Sequence, residues 1–174
     1  RDGRAEIMVG RGSFIESFPL FGYDLKDYDE LFAEKLDLLV KLTKSEKVTW
    51  KGKFRSAINN LGIYPRPLQT ELPIWVAVGG TPQSVMRAAN YGLPLAIAII
   101  GGSPDQFVPL AQLYRDTYKK AGHHIDKLQI SVHSHGYIAD PSDQAALEFY
   151  PSYHHVMSKI GRERGWGPLT PQQY

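Results

Sequence analysis

Where the run WVAV ends, the chain reads Gly79-Gly80-Thr81-Pro82-Gln83-Ser84. Residues of these types at this spacing can hold an anion. Two glycines let the backbone come close to a ligand, and a helix starting just after them offers unpaired amides and the positive end of its dipole. Thr81 stands at an N-cap position, Pro82 at the first helical position, where a missing N–H costs nothing, and Ser84 three residues past the cap. The hydroxyls of Thr81 and Ser84 are further donors. The same residues also suit a corner that only starts a helix, and the spacing leaves both readings open.

A second run, AIIGGSPDQ, repeats the device at Gly101 to Asp105. Its Asp105 puts a carboxylate in the first helical turn, where it would occupy the dipole and repel a phosphate. Of the two corners, 79–84 is therefore the anion candidate and 101–105 is read as structural. Arg11, between Gly10 and Gly12 in VGRGSF, would follow a strand directly. Its guanidinium fork suits a phosphate, and a solvated loop arginine is the other reading.

Other chemistries find less support. Neither a Walker sequence nor GxGxxG is present, which disfavours nucleotide triphosphatases and Rossmann dehydrogenases, and there is no GxSxG elbow for a serine hydrolase. The chain has no cysteine, so disulfides, thiolate metal sites and a cysteine nucleophile are excluded. His133 and His135 would share one strand face, but no acid or third histidine stands at a ligand spacing. The pairs His123-His124 and His154-His155 read as surface helix ends, and no metal is expected. No catalytic acid or base is assigned. The aromatics of SFPLFGYDLKDYDELF are read as packing.

The elements that must position these residues alternate between strand and helix. AEIMVG is a short strand, followed by a long loop through Asp24. The segment 24–47 carries a helix-period stripe at Leu31, Phe32, Lys35, Leu36, Leu38, Leu39 and Leu42, with acids near its start. Next comes a hairpin-like excursion, VTWKGKFRSAINNLGIYPRPLQTELP, whose Lys-Gly, Asn-Asn and three prolines give turns and an extended connector. The strand IWVAV, a helix from Pro82 to about Tyr91, and the strand LAIAII follow, the last with almost no alternation, as expected of a parallel strand covered on both faces. After the helix that follows 101–105, LQISVHSHGYIAD is a strand, PSDQAALEFYPSYHHVMSKIGRERGW a helix pair interrupted at Pro151, and GPLTPQQY a loop. Such alternation predicts parallel βαβ units, either doubly wound or in a (β/α) barrel. About four strands are visible, so a barrel would be about half of one.

With 174 residues, 43% of them hydrophobic and 22% charged, the chain is expected to fold as a single globular domain over 1–174. Twenty basic against 18 acidic residues leave no charge excess for nucleic acid or an anionic membrane. The longest apolar stretch, LPLAIAII, is far shorter than the roughly 20 residues of a membrane span. No basic-then-apolar leader opens the chain, so a cytoplasmic location is expected. The opening at Arg1, close before a core strand, is read as that of a fragment or a processed chain.

Together, GRAEIMVGRGSFIESFPLFG, the helix DELFAEKLDLLVKL, the KGKF excursion and YPRPLQTELPIWVAVGGTPQSVMRAANYGLPL resemble, in the same order, the bacterial-luciferase-like flavin-dependent monooxygenases. The resemblance covers nearly the whole chain. It implies a partial TIM (β/α)8 barrel, about strands four to seven with their helices. It also implies FMN at the C-terminal mouth of the barrel, with the phosphate held by Arg11 and by Gly79, Gly80, Thr81 and Ser84. The function implied is oxidation of a small organic substrate by reduced FMN and O2, the reduced flavin coming from a separate reductase or NAD(P)H. A deazaflavin-dependent oxidoreductase, and a truncated flavin-binding relative without activity, are the alternatives. The reactive cysteine of luciferases is Gly10 here. The family's first three strands, with a histidine near the flavin ring, would precede Arg1, and the eighth would follow Tyr174. Half a barrel has two open parallel edges, so a homo-oligomer or association with the missing half is expected.

Overall fold

The computed structural model describes residues 3–12, 14–167 and 169–171. Four strands, β1 (Ile7–Val9), β4 (Ile74–Val78), β5 (Leu95–Ile99) and β6 (Ile130–Ser134), form one parallel sheet in the order β1-β4-β5-β6. Between β1 and β4 lie a one-turn helix α1 (Ser17–Leu20), the helix α2 (Tyr28–Lys44), and an antiparallel hairpin of β2 (Lys47–Trp50) and β3 (Ile58–Gly62). Helices α3 (Pro82–Asn90) and α4 (Val108–Lys120) cross from β4 to β5 and from β5 to β6. Each new parallel strand joins on the same side of the last. A doubly wound sheet would instead reverse direction at a switch point, so the order selects the barrel over the alternative the sequence left open.

One face of the sheet carries the core. In β4 the buried residues alternate as Ile74, Val76 and Val78, and in β5 Leu95, Ile97 and Ile99 continue the same layer. Against them pack Leu36 and Val40 of α2, Val85, Ala88 and Ala89 of α3, and Tyr114 and Tyr118 of α4. Ala88 and Ala89 are small, which lets α3 lie close to its neighbours. Each fully buried Leu or Val contributes roughly 1.5–3 kcal/mol. The buried Tyr114 hydroxyl donates to the Leu93 carbonyl at 2.8 Å, and burial, with a smaller contribution from Tyr118, pushes its pKa upward.

The hairpin has its own small core, Val48, Trp50 and Ile58 against Leu38 of α2. Trp50 Nε1 donates to Asp37 Oδ2 at 2.9 Å, and Arg66 donates from both Nη atoms to the carbonyls of Leu42, Thr43 and Ser45, closing the C-terminal end of α2. These contacts fix α2, whose first turn reaches the site.

Residues up to Ser134 form one compact unit and those from His135 a second. The second unit contains helix α5 (Ser142–Arg164), with Tyr137 stacked on Phe149 at 5.4 Å. Here the expected break at Pro151 is corrected: α5 is continuous, with Pro151 inside it. A proline removes one intrahelical hydrogen bond, but ring pairs one turn apart, Phe149 with Tyr153 and Tyr150 with His154, span the gap on both sides. His154 and His155 are consequently mid-helix and not at a helix end.

Smaller corrections have equally local causes. The loop after β1 contains α1 and a 3-10 turn at Leu25–Asp27. Asn59 and Asn60 do not make the hairpin turn but lie in β3, where Asn60 takes a positive φ of 47° and its N–H donates to Thr49 Oγ1. Strand β6 stops at Ser134, so His135 lies outside it. The end of the tail predicted as loop, 172–174, lies outside the described residues. No described helix is long and apolar enough to cross a membrane.

Candidate functional site

Strands β1 and β4 are parallel neighbours with Val9 opposite Val76, so their C-terminal ends lie side by side. Gly10 follows β1 here, and a Cβ added to it would already touch the Ala77 side chain. This adjacency brings Arg11 to Thr81, 70 residues further along the chain. Arg11 Nη2 donates to Thr81 Oγ1 at 2.7 Å, and Nη1 donates to Asp29 Oδ1 of α2 at 2.5 Å. The guanidinium also lies over the Tyr28 ring, 4.7 Å from its centroid, while the Tyr28 hydroxyl donates to the Gly12 carbonyl at 2.7 Å. The Arg11 side chain is only 19% exposed. It is therefore a held group, and not the solvated loop arginine of the other sequence reading.

Thr81 occupies the N-cap of α3 in extended conformation, but its side chain makes no cap hydrogen bond. Its hydroxyl oxygen accepts from Arg11 instead. Ser84 lies in the first turn, 3% exposed, with its Oγ buried and without a hydrogen-bond partner among the described residues. A buried hydroxyl without a partner costs about 1–3 kcal/mol, so this oxygen is an unmet donor at the helix start. Gly80 has φ +135°, a conformation L-residues avoid, and a Cβ added at Gly79 or Gly80 would meet nothing within 4 Å. The corner is thus open space at the start of α3, and no acidic residue stands in the first turn of α3.

The echo at 101–105 is built differently. Asp105 lies in the first turn of the 3-10 segment Pro104–Phe107. In addition, a Cβ on Gly102 would collide with Gln106 Oε1, because the Gln106 side chain fills that corner. A Cβ at Gly79 or Gly80 would stand in open space, whereas one at Gly102 would meet the Gln106 side chain.

Sequence reasoning missed three members of this neighbourhood. Asp29 and Tyr28 looked like ordinary residues of the acidic start of α2, yet they pair with and stack on Arg11. Arg87, on α3, lies over the Phe32 ring at 5.5 Å with Nη1 buried and unpartnered among the described residues. Only its position three residues after Ser84, one turn along the same helix, could have signalled it. The aromatics of 14–32, expected to be packing, divide. Phe18 is buried beside Tyr28, whereas Phe21 is 70% exposed.

The histidines do not assemble. His133 Nε2 is 2.9 Å from Ser131 Oγ, and His123 lies against the Tyr118 ring with Nε2 3.0 Å from the Asn90 carbonyl. Among the described residues, no group of three His, Cys, Asp or Glu is placed to hold a metal ion.

The family model described as luciferase-like monooxygenase matches residues 1–172. The chain is similar to the crystal structure of monooxygenase RslO1 from Streptomyces bottropensis, with a TM-score of 0.75 and 23% identity over 92% of this chain and 48% of that one. It is also similar to an F420-dependent secondary alcohol dehydrogenase in complex with an F420-acetone adduct, with a TM-score of 0.72 and 20% identity over 90% and 47%. Among curated sequences it is 31% identical over 100 residues, 57% of this chain and 28% of the other, to an uncharacterized protein, y4vJ, of Sinorhizobium fredii (strain NBRC 101917 / NGR234). The chain spans about half the length of the structures it matches, in keeping with four strands of a TIM-type barrel.

Proposed function

The chain belongs to the luciferase-like monooxygenase family, and from that premise we propose that it is the phosphate-holding part of a flavin-dependent oxidoreductase, one that acts on a small organic substrate with reduced FMN and O2. The observation that carries this reading is the contact of Arg11 with Thr81 beside an open double glycine. A guanidinium, a threonine hydroxyl, the unpartnered Ser84 Oγ and the Gln83 N–H, the first-turn amide that does not already donate to the Thr81 carbonyl, are donors suited to a doubly charged phosphate.

Bound flavin would supply the redox chemistry, and the residues here would bind and orient it. Arg11 would give two directed donors to phosphate oxygens, exchanging Thr81 for the ligand on one of them. Tyr28 holds the guanidinium plane from one side, so little rotamer freedom is left to lose on binding. Gly79 and Gly80 leave room for a phosphate to reach the amides. No group of this chain is assigned to proton transfer.

A second reading has an observation in its favour: the matched alcohol dehydrogenase holds an F420 adduct. A deazaflavin also carries a phosphate, so the same corner would serve it. Titration with FMN and with riboflavin, which lacks the phosphate, tests the shared premise. FMN is expected to bind at least about tenfold more tightly, the scale of charge-assisted contacts, and equal affinity would remove the phosphate site. Exchange of FMN for F420 in the same titration separates the two cofactors.

A further inference from the structure

We propose that the cleft that Arg11, Phe18, Phe21 and Tyr23 form with α2 is a second ligand site, selective for a small aromatic acid. This does not rest on the phosphate reading of the 79–84 corner, although Arg11 borders both. The cleft measures about 500 Å³, within the roughly 300–1,000 Å³ of small-molecule sites. Its walls are aromatic: Phe18, Phe21 and Tyr23 from the segment after β1, Tyr28 and Phe32 from α2.

Its charge is of one sign. Among the described residues, Arg11 and Lys35 line it and no carboxylate does. Arg11 is compensated by Asp29, but Lys35 has no ion-pair partner among the described residues. Its Nζ lies instead 4.1 Å from the centroid of the Tyr23 ring. Outside the lining, Arg87 lies over Phe32 with an unpartnered Nη1, adding positive charge behind that wall. A flat ring with an acidic substituent satisfies both features, because the ring stacks on the aromatic walls while its carboxylate pairs with Lys35. An aliphatic acid would waste the walls, and a neutral aromatic would leave Lys35 unpaired.

Phe21 is 70% exposed, so it can be changed without touching the core. Equilibrium dialysis of the full chain against 2-naphthoate and against neutral 2-naphthamide tests the inference. Saturable binding of one naphthoate per chain is expected, at least about tenfold tighter than the amide. Lys35→Met should lose that preference and Lys35→Arg keep it, while Phe21→Ser should weaken naphthoate and naphthamide alike. Gly79→Ala, which alters only the phosphate corner, should leave naphthoate binding unchanged, so failure of either site is seen separately. Equal binding of acid and amide, no saturable binding, or an unaltered preference in Lys35→Met with Phe21→Ser also silent would overturn it.

Discussion

Arg11 donates to Thr81 across 2.7 Å although 70 residues separate them, and the parallel pairing of β1 with β4 is what closes that distance. Arg11 is thereby directed at the start of α3 before any ligand arrives.

Asp29 competes for the same guanidinium. Its carboxylate is 69% exposed and sits 2.5 Å from Nη1, so a phosphate must share Arg11 with it. An exposed ion pair is worth little to stability, so Asp29→Asn should leave the fold unaffected. FMN affinity, read by flavin fluorescence, should rise by about two- to fivefold, with a shallower loss on adding salt. A fall in affinity would mean that Asp29 positions Arg11 and does not compete with the ligand.

The two glycines should respond differently to alanine. At Gly80 the positive φ makes any side chain strained, so Gly80→Ala should lower unfolding stability by about 1–2 kcal/mol in urea titration. Gly79 has no such φ, and its added Cβ would stand in the open corner. Gly79→Ala should therefore stay within about 0.5 kcal/mol of the parent in stability while weakening FMN. Equal destabilisation by both would contradict the assignment of the corner.

Asp37 sets an acid limit. Burial raises its pKa, but hydrogen bonds from Trp50, Lys41 and Tyr91 outweigh that and hold the carboxyl below the usual range. A folded pKa lower than the unfolded one gives stability that is present at neutral pH and is lost as pH falls from about 4 through the folded value. Urea midpoints measured from pH 6 down to about 2.5 should fall more steeply for the parent than for Asp37→Asn, which keeps an acceptor for Trp50. Parallel curves would assign the acid loss to other carboxylates.

The sheet order leaves the outer edges of β1 and β6 without a strand partner among the described residues, and Met8 and Val132 on these strands are largely exposed. Association of two copies would cover such edges. Sedimentation should then give a mass well above the 19.6 kDa of one chain, reduced towards it by Val132→Lys. A monomer at all concentrations would contradict this.

Much of the scaffold was legible in the sequence because local signals agreed with the tertiary ones. The stripe of α2, the Thr-Pro start of α3 and the unbroken apolar run of β5 each specify an element without distant help. The residue types at 79–84 and the position of Asp105 in the first turn of its echo could both be read from the sequence. What could not be read were relationships across the chain. Thr81 looked like a helix cap, and only the pairing of β1 with β4 reveals that its oxygen serves Arg11. Tyr28 and Asp29 carried no signal of their own, since their role depends on where α2 begins in space. Pro151 misled because a proline's local cost is visible in sequence, whereas the ring pairs that span it are visible only in the helix.

The central claim, that Arg11 and the 79–84 corner form one phosphate site, is tested most directly by titrating the chain and its Arg11→Ala and Arg11→Lys variants with FMN. Loss of the fork should weaken binding by about tenfold or more in Arg11→Ala and by an intermediate factor in Arg11→Lys, with riboflavin affinity unchanged throughout. FMN affinity equal to the parent's in a folded Arg11→Ala variant would contradict the account.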